Sequence, residues 1–112
     1  MPSPYAADTP LKTLIFVAKL MDCIVEDERE GETASHRLKQ AGIMSYIYMM
    51  HLNGEKITVS KLKDRLKAPR QVIVELFKSL EERGLLTHST ETHDGGRGRV
   101  FVYALADKAL SL

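Results

Sequence analysis

Ile57-Thr58-Val59-Ser60-Lys61-Leu62-Lys63-Asp64-Arg65-Leu66-Lys67-Ala68-Pro69-Arg70-Gln71-Val72-Ile73-Val74-Glu75-Leu76-Phe77-Lys78-Ser79-Leu80-Glu81-Glu82-Arg83-Gly84 is the stretch on which the reading of this chain turns. Thr58 has the side chain of a helix N-cap, because its hydroxyl can accept from a backbone N–H of the first turn. Leu62 and Leu66, four residues apart, are expected to form a buried pair on the short helix that follows, which ends near Lys67-Ala68. Pro69 lacks the N–H needed to continue that helix, yet its fixed φ suits the first turn of another. The second helix is expected from Pro69 or Arg70 to about Arg83, with Gly84 as its stop. On it, Ile73, Leu76, Phe77 and Leu80 share one face and predict core, which leaves Arg70, Gln71, Val74, Glu75 and Lys78 outward. Two short helices thus meet at a tight turn.

Upstream, Asp8-Thr9-Pro10 opens a helix expected to run to about Arg29. Its apolar residues cover more than the single stripe that one core contact requires, so a second apolar contact is implied. The same helix of a second copy is the expected partner, with Leu11, Leu14, Ile15, Ala18, Met21 and Val25 as dimerisation residues. Glu26-Asp27-Glu28-Arg29-Glu30-Gly31-Glu32 reads as a solvated helix end, since it lacks the alternating ligands and central glycine of a calcium loop. Another helix is expected from Ala34 to Asn53, with Thr33 or Ser35 near its start and Gly54 after its end. Ile43, Tyr46, Ile47, Met49 and Met50 are its expected buried face. Methionines at such spacing are ordinary core filler before they are the adaptable wall of a ligand pocket.

Glu55 to Ile57 should be extended, and beyond Gly84 the pattern turns β-branched. Leu86 to Thr92 and Val100 to Leu105 read as strands. The glycines and aspartate of His93-Asp94-Gly95-Gly96-Arg97-Gly98 permit the positive backbone angles of a hairpin tip. Asp107 to Leu112 are expected to begin a last helical turn, and no internal repeat is present.

At 112 residues the chain is short for two independent cores, and the expected division is an N-terminal helix with its acidic turn (1–33) and one domain (34–112). Lys19 and Asp22 interrupt the most hydrophobic segment, so no membrane span is expected. Nothing basic precedes the start Met1-Pro2-Ser3-Pro4, so no secretory signal is read there. The lone Cys23 forms no internal disulfide and has no neighbouring thiol for a metal pair, which fits a reducing, cytoplasmic setting. A net charge of +1 announces no polyanion partner, but its distribution is uneven. Residues 1–59 carry six Lys/Arg against eight Asp/Glu, whereas residues 60–99 carry nine against six.

Helix, short helix, tight turn, second helix and two-stranded hairpin is the order of a winged helix-turn-helix, an α+β and mainly helical fold class. Ile57 to Leu66, Pro69 to Ile73 and Leu80 to Leu86 resemble the corresponding stretch of MarR-type transcription regulators, and the hairpin with Asp94, Arg97 and Arg99 resembles their wing. The likeness spans roughly residues 36–108. It implies a DNA-binding transcription regulator that acts as a homodimer. Two departures stand out: the tip reads Asp94-Gly95-Gly96-Arg97-Gly98-Arg99, and the chain ends where that family continues into C-terminal dimerisation helices. Dimerisation is therefore expected to move to the N-terminal helix.

The chemistry follows from the residues as well. Arg70 can donate twice to guanine, Gln71 can pair with adenine and Val74 can touch a thymine methyl, with Lys78 nearby for charge. Glu75 is repelled by phosphates unless it accepts from cytosine or pairs with an arginine such as Arg70. Arg97 and Arg99 suit phosphates or a narrow minor groove, and Ser60, Lys61 and Lys63 suit the DNA backbone. The plainer reading of each set is a solvated face. The alternatives in function are a winged helix used for protein interaction and a DNA-binding protein of plasmid partition or replication. An enzyme is not expected, because the chain has no Gly-rich phosphate loop, no Gly-x-Ser-x-Gly turn and no paired histidines on a helix. No metal or other cofactor is expected, His88 and His93 falling on opposite strand faces, and no small-molecule effector is identified.

Overall fold

The computed structural model describes residues 9–92 and 98–112. The described residues up to Glu55, with Leu112, form one unit, and Lys56–Ser111 form a second. Among them are five α-helices and one two-stranded antiparallel sheet, an α+β and mostly helical chain.

In the first unit, α1 (Thr9–Leu20) runs into a single π turn, Met21–Val25, and stops there instead of continuing to Arg29. The Glu26 N–H donates to the Met21 carbonyl at 3.0 Å, five residues back. A wider turn rotates everything beyond it relative to the α period. Ile24 is thereby fully buried in line with Leu20, while Val25 comes to a half-buried position. The buried Arg37 of α2 (Ala34–Leu52) explains the stop, since its Nε donates to the Val25 carbonyl at 3.0 Å and satisfies a group that another turn of helix would have used. Thr33 caps α2, accepting from the His36 N–H at 3.0 Å. The fully buried Gln40 donates to Glu32 at 2.6 Å and lies 2.9 Å from His36 Nδ1, which pins the acidic turn to α2. Phe16 stacks on Tyr48 with ring centroids 3.9 Å apart.

The buried face of α2 carries Ile43, Met44, Ile47 and Met50, but Tyr46 is only half-buried and Met49 is exposed, against expectation. The physical reason is angular: Met49 lies about 140° around the helix from Met44, at 100° per residue, and so leaves the buried stripe.

In the second unit, α3 (Val59–Leu66) and α4 (Arg70–Glu82) meet at a turn in which Lys67 takes a left-handed conformation, φ 52°. Thr58 caps α3 through the Lys61 N–H at 3.1 Å. Thr58→Ala is expected to lower stability by about 1 kcal/mol with α3 still formed, read from urea unfolding by circular dichroism; no change in midpoint would refute the cap. Leu62 is fully buried, but Leu66 is 40% exposed, so the expected pair is not buried. Leu66 is the last helical residue, and the turn at Lys67 carries the chain away before anything covers it.

The expected core residues Ile73, Leu76, Phe77 and Leu80 are buried. Gly84, at φ 76°, ends the α4 segment as a left-handed position that favours glycine. β1 (Leu86–Thr92) pairs with β2 (Arg99–Leu105), from Leu86 opposite Leu105 to Thr92 opposite Arg99. Ile57 lies along the other edge of β2, accepting from the Tyr103 N–H at 2.8 Å. The short α5 (Asp107–Leu110) closes the unit.

Candidate functional site

The outward residues of α4 are where the spacing put them. Arg70, Gln71, Val74, Glu75 and Lys78 are all exposed, opposite the buried Ile73, Leu76, Phe77 and Leu80. Glu75 has a partner, though not Arg70: its Oε1 accepts from the Gln71 amide at 3.1 Å, one turn earlier. That bond holds the carboxylate along the helix surface and occupies one donor of Gln71.

The hairpin is tied to α4 at two points. Tyr103 packs edge-on against Phe77, ring centroids 4.5 Å apart, and His88 donates from Nδ1 to Glu81 at 2.7 Å. Burial pushes the Tyr103 hydroxyl above the usual tyrosine range; Glu81 pushes the same way and Arg70 opposes. The phenol is thus neutral at physiological pH. Successive strand residues alternate between faces, so Arg99 and Phe101 share the Tyr103 face, which is the face that meets α4. Both are exposed. Arg97, with His93 to Gly96, lies outside the described residues, so the expected wing pair is represented by Arg99.

On the other side of the hairpin is a groove of about 310 Å³ lined by Lys56, Thr58, Ser60, Lys61, Glu91 and Val102, among others. Lys56 Nζ and Glu91 Oε2 are 2.8 Å apart in it. Of the three expected backbone residues, Ser60 and Lys61 line this groove, whereas Lys63 is exposed next to Asp64 at 3.8 Å and does not. Sequence reading missed Lys56 and Glu91. They are 35 residues apart, and the bridge of Ile57 to Tyr103 together with the hairpin register brings them together.

In the first unit, Leu11, Leu14, Ile15 and Ala18 on α1 and Met21 at the start of the π turn are exposed, while Phe16, Leu20 and Ile24 face inward and Val25, expected among the dimerisation residues, is half-buried. Among the described residues no group of three or more His, Cys, Asp or Glu side chains is placed to hold a metal ion. No described helix is long and apolar enough to cross a membrane.

No protein family matches this chain, nor is any curated protein or solved structure significantly similar to it.

Proposed function

We propose that the chain is a winged helix-turn-helix protein that binds duplex DNA as a homodimer and regulates transcription, with α4 in the major groove and the arginine-bearing hairpin on the backbone or minor groove. The observation that carries this reading is the exposed face of α4, with Arg70, Gln71, Val74, Glu75 and Lys78, beside Arg99 on the α4 side of the hairpin. A polar helix face of donors and one acceptor suits base edges, and an arginine on an adjoining hairpin suits phosphates. The order of elements and the likeness of residues 57–86 to MarR-type regulators support the same reading. Ser60 and Lys61 in the groove add backbone contacts next to Lys56.

The test is anisotropy of a labelled random duplex as salt rises. Binding should weaken steeply, by about 0.9 in log–log slope for each phosphate contacted, and Arg97→Ala/Arg99→Ala should make the slope shallower by up to about two. Absence of binding at low salt would sink the DNA reading. The protein-interaction reading would then take its place, carried by the apolar side chains that the unit leaves exposed, Phe101 at 51% on the hairpin and Val74 at 41% on α4.

A further inference from the structure

We infer that α1 pairs with α1 of a second copy in antiparallel orientation, crossing near Ile15 and Ala18. This deepens the dimer part of the reading above by assigning its surface and direction. The exposed stripe Leu11, Leu14, Ile15, Ala18 and Met21 follows three- and four-residue steps along one helix face. It lies opposite the face that Phe16, Leu20 and Ile24 bury against the rest of the unit. Leu11 and Leu14 are 59% and 65% exposed, more than any other large apolar side chain among the described residues.

Charge sets the direction. The C-terminal end of the stripe is acidic: Asp22 and Glu26 are exposed there, and Asp27 and Glu28 follow. Lys12 is near the other end, as is the positive end of the α1 helix dipole. Parallel pairing sets the two acidic ends side by side. Antiparallel pairing about Ile15–Ala18 brings Lys12 of one copy to within about 1.5 Å, along the axis, of the level of Asp22 in the other, at 1.5 Å per residue. Ala18 then faces Ile15 of the copy, a small residue against a large one, and Leu14 lies across from the aliphatic stem of Lys19. The π turn fits this geometry, because it takes Val25 off the stripe and leaves Asp22 to mark its end.

The helical segment is about 25 Å long, so the contact falls at the small end of specific interfaces, and a dissociation constant in the micromolar range is expected. Sedimentation equilibrium without DNA should show a monomer–dimer equilibrium, and a monomer up to about 200 µM would overturn the inference. Ala18→Glu, exposed in the monomer and so without effect on its fold, should weaken the dimer at least tenfold; an unchanged constant would also overturn it. Direction is read in a Cys23→Ser background by mixing Leu11→Cys and Asp22→Cys chains under mild oxidation. Mixed disulfides are expected, whereas disulfides between identical chains would mean parallel pairing and refute the antiparallel assignment. None of these readouts uses DNA. A dimer that ignores duplex would overturn DNA binding and leave this inference standing, whereas a monomer that binds duplex would overturn this inference, with the homodimer part of that reading, and leave DNA binding standing.

Discussion

Phe77→Ala is expected to destabilise the second unit by about 3–5 kcal/mol, the range for truncating a fully buried aromatic. Phe77 has no exposed surface, and its ring meets Tyr103 at 4.5 Å between centroids. The substitution therefore removes helix–hairpin packing and an aromatic pair together, in a unit that runs only from Lys56 to Ser111. Small domains hold roughly 5–15 kcal/mol in all, so the variant should be close to unfolding at room temperature. Urea unfolding followed by circular dichroism checks this. A loss below about 1.5 kcal/mol would mean that the site collapses onto the cavity and that Phe77 is not the bridge between α4 and the hairpin.

Arg70→Ala is expected to reduce affinity for a selected DNA site by about 5- to 150-fold, the equivalent of 1–3 kcal/mol for one bidentate base contact. Its affinity for random duplex should fall much less. Glu75→Gln should act in the opposite direction on random duplex, raising affinity several-fold, because it removes a carboxylate from the phosphate field. It also changes the acceptor now bonded to Gln71, so base preference should relax at one position. Both residues are exposed, so thermal melting should stay within about 0.5 kcal/mol of the parent, which separates binding from folding. Equal losses for Arg70→Ala on selected and random duplex would place that residue on phosphate and take α4 out of the base-reading role.

The two substitutions differ in how far their sites could be read in advance. Phe77 is one of four apolar residues at helical spacing between a proline and a glycine, and all four are buried. The exposure of Arg70 follows from the same period, but the partner of Glu75 does not. Arg70 and Gln71 both lie within a turn or so of Glu75, and only side-chain geometry decides for Gln71. Leu66 shows the limit from the other side: its spacing from Leu62 is right for a buried pair, yet its exposure is set by the chain turning away at Lys67.

What the sequence by itself determined was local. Thr58 as a cap, a cap at Thr33 or Ser35, Pro69 and Gly84 as boundaries of α4, the core face of α4 and the two strands all depend on interactions within about four residues or on backbone freedom at one position. Tertiary structure decided whatever depended on residues far apart in the chain. Arg37 takes the Val25 carbonyl and ends the helical run at the π turn, the Ile57–Tyr103 bridge and the hairpin register together set Lys56 against Glu91, and that register puts Arg99 on the α4 side of the hairpin. The covered face of α1 was also decided there. Its apolar residues spread over both sides, and periodicity cannot say which side another helix takes; the packing of Phe16, Leu20 and Ile24 left Leu11, Leu14 and Ile15 outside.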